Sequence, residues 1–147
     1  MKLLVDTNVY VDYLARRSPY DEDIRTLCIA SHFNDVELWV NLQSIADAEY
    51  ILRKAADVRT LRTAMRNSLA LFHPCAFHAS DIEAALASDW PELEDYLIVA
   101  SAEHIGAEAF ITRDVFVKEH CPIPAYTPAE YVQVLRDRGL HYETIQL

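Results

Sequence analysis

Glycine is scarce in this sequence of 147 residues, which contains only Gly106 and Gly139. A glycine-rich phosphate loop needs several glycines within a few positions, so their absence argues against a P-loop NTPase and a Rossmann dehydrogenase. Cysteine is also sparse, because Cys28, Cys75 and Cys121 are far apart and odd in number. This spacing suits reduced thiols better than a disulfide framework or a zinc site.

Long apolar runs and an excess of positive charge are missing as well. No run approaches the length of a membrane span, and the N-terminus enters a strand without the apolar region of a signal peptide, so we expect a cytoplasmic protein with no membrane attachment. The net charge of −10 disfavours a protein that binds long DNA over its whole surface. It does not exclude a nuclease, because bound divalent cations reverse the sign of an acidic cluster locally.

The composition that is present predicts one compact domain. A hydrophobic content of 52% supports a sizeable core, and 147 residues are too few for two ordinary domains. No linker, repeat or low-complexity segment divides the chain, so we expect a single domain over residues 1–147. Strand-like segments near 2–5, 36–40, 72–77, 109–111 and 123–126 alternate with helical patterns, which predicts an α/β fold with a mostly parallel sheet.

Two of the predicted strands end in an acid. The apolar run at 2–5 stops at Asp6, Thr7 and Asn8, and the run at 109–111 is followed by Thr112, Arg113 and Asp114. Ligands bind at the carboxyl edge of open α/β sheets, so acids placed there are candidates for chemistry. Each of the two also has a purely structural explanation as a turn or cap residue.

Two further acids fall in predicted helices. In the helix that opens at Ser44, Asp47 and Glu49 lie about 200° apart and cannot both face one point. Asp47 lies nearer the predicted helix start, where the helix dipole alone explains an acid, so Glu49 is the stronger candidate. The structural alternative for Glu49 is an exposed position on the helix surface.

The helix at residues 92–102, after Pro91, has an apolar interior that implies burial. A carboxylate in its first turn is expensive unless it is paired or binds a metal, which singles out Asp95. Glu92 lies one turn earlier and could assist, whereas Glu94 is expected to point elsewhere. Compensation of the helix dipole is the structural alternative for Asp95.

Convergence of Asp6, Glu49, Asp95 and Asp114 would need protons or a divalent cation, because two carboxylates 4 Å apart repel by about 4 kcal/mol at an effective dielectric of about 20. A site made only of oxygen ligands suits Mg²⁺ or Mn²⁺. Such an ion can orient water and neutralise charge at a phosphoryl centre, so the pattern favours hydrolysis of a phosphodiester.

Other charged patterns have simpler explanations. Arg59, Arg62 and Arg66 form a basic ridge on a helix, and solvated surface is the more common role of such rows, ahead of contact with phosphates. Ser80 and Glu83 form an S-x-x-E pattern that predicts a capping box at a helix start.

Four short blocks resemble the acidic blocks of PIN-domain nucleases, a family that includes the VapC-type toxins. The blocks are VDTNVYVDYL at 5–14, SIADAEYIL at 44–52, ELEDYLIVASA at 92–102 and FITRD at 110–114, and the ending IPAYTPAEYV at 123–132 is also similar. The resemblance implies a three-layer α/β/α sandwich with a central parallel sheet of about five strands. It also implies a Mg²⁺-dependent endoribonuclease, often dimeric, with a partner antitoxin in the toxin branch.

The resemblance matches Asp6, Glu49, Asp95 and Asp114 to the metal-binding acids of the family. Close relatives carry an Asp where this chain has Asp47, so either Asp47 or Glu49 is the second acid. Thr7 or Asn8, together with Thr112, would orient the carboxylates or a bound water.

Our hypothesis at this point is hydrolysis of single-stranded RNA at a Mg²⁺ or Mn²⁺ site, with Arg59, Arg62 and Arg66 guiding the strand. The first alternative is a non-catalytic PIN-like scaffold that binds RNA or a protein, which would lack one of the core acids. The second is a metal-dependent phosphatase or flap-type nuclease acting on DNA, which the net charge disfavours.

Overall fold

A computed structural model of the protein describes residues 1–142 and 145. The strands are β1 (Lys2–Val5), β2 (Glu37–Asn41), β3 (Phe72–Cys75), β4 (Ala109–Ile111) and β5 (Ala125–Tyr126). The helices are α1 (Thr7–Ala15), α2 (Asp21–His32), α3 (Leu42–Leu52), α4 (Val58–Ser68), α5 (Asp81–Ala87), α6 (Leu93–Ile105), α7 (Val115–His120) and α8 (Pro128–Asp137).

The five strands form one parallel sheet in the order β3-β2-β1-β4-β5. The chain moves outwards from β1 to β3 on one side and then from β4 to β5 on the other. The order therefore reverses between β1 and β4, and a crevice for ligands opens at the carboxyl ends of two such strands. In this protein those ends carry Asp6 and Thr112.

Helices cover both faces of the sheet. Successive side chains of a strand point to opposite faces, so each strand contributes to the core on both sides. Leu3 and Val5 pack into the larger core with apolar residues of α1, α2, α3, α4 and α8. Leu4 points to the other face and packs with Phe110 and with Ile98 and Val99 of α6. The predicted α/β sandwich with a parallel sheet of about five strands is confirmed.

Local capping signals were predicted with mixed success. Thr127 forms the N-terminal cap of α8 and Pro128 follows it, as expected. The capping box predicted at Ser80 is wrong, because the Ser80 side chain makes no cap hydrogen bond. Asp81 instead accepts a hydrogen bond from the His78 backbone N–H at 2.7 Å and competes for the same helix start.

Within the part of the chain that the structure describes, none of the helices combines the length and apolar character that crossing a membrane requires.

Candidate metal centre

Asp6 lies at the crevice between β1 and β4 and is only 4% exposed. Its carboxylate caps α1 by accepting a hydrogen bond from the Thr7 backbone N–H at 2.8 Å, and it accepts another from the Thr112 hydroxyl at 2.7 Å. The Asn8 amide donates a longer bond to it, at 3.3 Å. Burial raises the pKa of Asp6, and the nearby charge of Asp114 adds to the rise, so these hydrogen bonds only partly compensate.

Asp114 is held beside Asp6 by the same threonine. It follows β4 and caps α7, accepting a hydrogen bond from the Val117 backbone N–H at 3.0 Å. Its own backbone N–H donates to the Thr112 hydroxyl oxygen, also at 3.0 Å. The fully buried Thr112 hydroxyl therefore donates to one acid and accepts from the backbone of the other. This arrangement fixes the spacing of the two acids.

Asp95 approaches from the opposite layer, in the first turn of α6. Burial raises the pKa of Asp95 to about 6, with further contributions from the negative charges of Asp6, Asp114 and Glu92. Asp6, Asp95 and Asp114 line one cleft of about 260 Å³. Glu92 is the exposed N-terminal cap residue of α6, makes no side-chain cap bond, and is not among the residues lining this cleft.

Glu94 also lines the cleft, so the expectation that it points elsewhere is wrong. Glu94 and Asp95 are consecutive residues in the first turn of α6, and both reach the cleft. The pKa of Glu94 is raised to about 8, chiefly by the neighbouring carboxyl of Asp47, then by burial and by the charges of Asp95 and Asp6. A sequence pattern based on helix faces misses such a residue.

Asp47, and not Glu49, lies against an acid of the cleft. One Asp47 oxygen accepts a hydrogen bond from the Gln43 side chain at 2.9 Å. The other, Oδ2, is shielded from solvent and has no hydrogen-bond partner among the described residues. A carboxylate oxygen in that state needs a proton or a cation beside it.

Glu49 points away and forms a two-pronged ion pair with Arg62, with nitrogen–oxygen distances of 3.1 and 3.2 Å. The Arg62 hydrogen bond lowers the pKa of Glu49. The sequence favours Glu49 over Asp47 because its pattern places the helix start at Ser44. In the structure α3 begins at Leu42, with Asn41 as its cap. Asp47 is therefore beyond the first turn, where the helix dipole no longer accounts for an acid.

The basic ridge lies outside the cleft. Arg59, Arg62 and Arg66 are exposed and line a shallow surface pocket together with Val58 and Thr63. Arg62 is engaged by Glu49, so the three arginines do not present equal charge to solvent.

The residues of the cleft differ in how well they suit a divalent cation. Among residues 1–142 and 145, no group of three or more His, Cys, Asp or Glu side chains is arranged so that it could hold a metal ion as it stands. The donor set nevertheless consists of carboxylate oxygens, and after burial the negative charges of Asp6 and Asp114 are the largest causes that raise the pKa of Asp95. Hard cations such as Mg²⁺ and Mn²⁺ fit this chemistry.

The fold and the cleft belong to a defined class, because the PIN domain family model matches residues 2–115. The chain is a member of the PIN domain family, as the four sequence blocks implied. No curated protein sequence matches the chain significantly.

Solved structures with the same fold include toxin–antitoxin proteins. A VapBC2 complex from Rickettsia felis bound to a promoter DNA fragment has 14% identity and a TM-score of 0.64, covering 86% of this chain and 98% of that chain. A toxin–antitoxin complex from Klebsiella pneumoniae has 21% identity and a TM-score of 0.60, covering 86% and 97%. FitAcB from Neisseria gonorrhoeae has 16% identity and a TM-score of 0.55, covering 86% and 98%. At these identities the likeness shows the fold.

Proposed function

We propose that this PIN domain is a metal-dependent endoribonuclease that hydrolyses phosphodiester bonds of single-stranded RNA. The observation that carries the proposal is the delivery of Asp6, Asp95 and Asp114 to one cleft from three separate elements. Such a cluster is costly in the free protein: burial first, and then the charges of Asp6 and Asp114, raise the pKa of Asp95. A bound cation would relieve it.

Asp6, Asp95 and Asp114 would hold Mg²⁺ or Mn²⁺, with Glu94 and Asp47 completing the acidic wall. When bound, such an ion orients and activates water and neutralises charge on a phosphoryl group. The protein supplies the positioning: Thr112 and Asn8 hold the Asp6 carboxylate in one orientation through hydrogen bonds of 2.7 and 3.3 Å. Partners of this kind raise metal affinity by fixing the ligand.

Single-stranded RNA is favoured over duplex DNA by charge. The protein carries a net charge of −10, so an extended duplex with phosphates on all sides would be repelled by most of the surface. A single strand can enter the cleft along a narrow path. The exposed arginines Arg59 and Arg66 are proposed to contact phosphates of that strand at a distance from the cleft, with Arg62 contributing less because of Glu49.

A toxin role with a cognate antitoxin, and a homodimeric state, are part of the same proposal. Proteins of this fold have been solved as toxin–antitoxin complexes, which supports an antitoxin partner here. Size-exclusion chromatography with light scattering tests the dimer. Co-expression with a small protein encoded next to the gene tests the antitoxin, since a genuine partner would co-purify and suppress cleavage.

A non-catalytic scaffold that binds RNA or a protein is the alternative. Loss of a core acid would favour it, whereas Asp6, Asp95 and Asp114 all line the cleft.

The test of activity uses purified protein and an unstructured, end-labelled RNA with Mg²⁺, with Mn²⁺ or with EDTA. Cleavage is expected with either metal and not with EDTA. Asp6→Asn and Asp95→Asn should each abolish it while circular dichroism shows a folded protein. Glu108→Gln, an exposed acid outside the cleft, is the matched control and should cut normally. Equal cleavage by wild type and both cleft variants would refute the assignment.

A further inference from the structure

Arg17 has a rigidly held backbone and a partly free side chain beside the acidic cleft. Its backbone N–H donates to the Asp12 carbonyl at 3.1 Å, and its carbonyl accepts from the backbone N–H groups of Tyr20 and Asp21, each at 2.9 Å. These bonds fix the turn that follows α1. The Arg17 side chain is 45% exposed, so only its position of origin is fixed.

Positively charged side chains are scarce in the lining of the cleft. Of the described residues that line it, Arg17 alone has a positively charged side chain, whereas four residues have carboxyl groups. The carboxyl groups are those of Asp6, Glu94, Asp95 and Asp114, of which Glu94, with a pKa of about 8, is protonated at neutral pH. A phosphate group that enters this cleft therefore meets repulsion on most sides and attraction at Arg17.

Asp12, the acidic neighbour of Arg17, does not fully neutralise the positive charge of Arg17. Asp12 is fully buried and accepts two hydrogen bonds from Arg113, at 2.6 and 3.2 Å. The closest Arg17 nitrogen lies 3.8 Å from Asp12 Oδ1, within ion-pair range but beyond hydrogen-bond distance. Asp12 carries one negative charge against two guanidinium groups, so the three side chains keep one net positive charge at the rim of the cleft.

We infer that Arg17 binds a phosphate of the RNA strand in the cleft, next to the carboxylates. This inference rests on the proposed function and assigns one residue to recognition of its substrate. A guanidinium matches a phosphate with two parallel hydrogen bonds. The ion pair with Asp12 holds Arg17 near the cleft, and because it is too long for a hydrogen bond, Asp12 does not occupy the Arg17 N–H groups that would bind the phosphate.

The experiment measures binding of a fluorescent 12-nucleotide unstructured RNA by anisotropy in Mg²⁺, with Asp95→Asn present in every protein to prevent cleavage. Adding Arg17→Ala should weaken binding about tenfold, as expected for loss of a charged hydrogen-bond donor. It should also reduce the slope of log Kd against log salt by about 0.7, the value for one phosphate contact on a single strand. Arg17→Lys should keep the slope and recover part of the affinity.

Arg25→Ala is the matched control, because Arg25 is an exposed arginine on α2 that lines a different cavity, with Tyr13 and Cys28. It should leave both the affinity and the slope unchanged. If Arg17→Ala matches Arg25→Ala in affinity and slope, the inference is overturned, and Arg17 serves only as a structural neighbour of Asp12.

Cleavage assays separate this failure from failure of the proposed function. If the wild type cuts RNA and Arg17→Ala cuts it with the same KM, only the role of Arg17 is overturned. Absence of both cleavage by the wild type and RNA binding by Asp95→Asn would overturn the proposed function and the inference with it. RNA binding that depends on Arg17 without any cleavage would support the inference and favour the scaffold alternative.

Discussion

The Arg113 guanidinium donates hydrogen bonds to both carboxylate oxygens of Asp12, with nitrogen–oxygen distances of 2.6 and 3.2 Å. Asp12 is fully buried, and Arg113 also stacks on Tyr20, with its guanidinium carbon 3.9 Å from the ring centre. This pair joins α1 to the loop that carries Asp114. The sequence alone predicted neither the pairing of Asp12 with Arg113 nor the burial of Asp12.

The ion pair should be asymmetric towards mutation. Arg113→Met leaves the buried Asp12 carboxylate without its two short hydrogen bonds and with the Arg17 ion pair at 3.8 Å, and breaking a buried pair in this way costs about 3 kcal/mol. Asp12→Asn should cost less, because the Arg113 side chain is 27% exposed and can turn to water. Urea denaturation of both variants measures the difference. Equal losses of stability would contradict the prediction.

The Thr112 hydroxyl should be needed for activity as well as for stability. Thr112→Val keeps the shape but removes the 2.7 Å hydrogen bond to Asp6, which should cost about 1–3 kcal/mol because a buried carboxylate loses its donor. The pKa of Asp6 should rise further, and cleavage should fall. Thr112→Ser restores the hydroxyl and serves as the control. Wild-type activity in the valine variant would show that orientation of Asp6 is unimportant.

Asp47 and Glu49 should differ sharply in function. Asp47 borders Glu94 of the cleft, whereas Glu49 is committed to Arg62. Asp47→Asn should therefore weaken Mg²⁺ activation about 10- to 100-fold, the range seen when a residue supporting a metal site is lost. Glu49→Gln should leave activation nearly unchanged. Mg²⁺ titrations of RNA cleavage distinguish the two, and the opposite order would restore Glu49 as the second acid.

Asp95 should make the metal-free protein less stable as the pH rises. Its pKa is about 6 in the folded protein against about 3.9 in an unfolded chain. The folded state thus holds the proton more tightly, so the free energy of unfolding falls between pH 4 and pH 6 and stays lower above pH 6. Asp95→Asn removes this loss.

In EDTA at pH 8, Asp95→Asn should be more stable than wild type by on the order of 1 kcal/mol, allowing for solvent screening, or roughly 2–4 °C in Tm. At pH 4 the difference should vanish. Mg²⁺ should raise the Tm of the wild type more than that of the variant. A difference between the proteins that is independent of pH would show that Asp95 does not carry the raised pKa.

The sequence predicted the residues whose position follows from the strand pattern. Asp6 directly follows a buried strand and Asp114 lies three residues after the end of another, and parallel strands end at one edge, so their proximity required no knowledge of side-chain packing. Asp95 was predicted because its helix had to be buried, and a buried carboxylate is destabilising unless it is paired or binds a metal. Those inferences depend on periodicity and topology, which local sequence specifies well.

The residues that the sequence placed poorly depend on helix phase and on partners far away in the chain. A shift of two residues in the start of α3 changed the interpretation of Asp47, and the position of the first turn of α6 brought Glu94 as well as Asp95 into the cleft. Arg17 lies past the end of α1, where no periodic pattern applies. The Glu49–Arg62 pair depends on how α3 packs against α4, which a linear pattern does not encode.

The strand order also has a consequence for the growing chain on the ribosome. β1 is made first and β4 is its sheet neighbour, yet Thr112 is 106 residues away from Asp6 in the sequence. Until that later segment has emerged and docked, Asp6 has no Thr112 bond and Asp95 and Asp114 are absent from its side. If the protein cuts RNA as proposed, it would therefore be translated beside its own messenger in an inert form until the segment that carries Thr112 and Asp114 has been made and has docked.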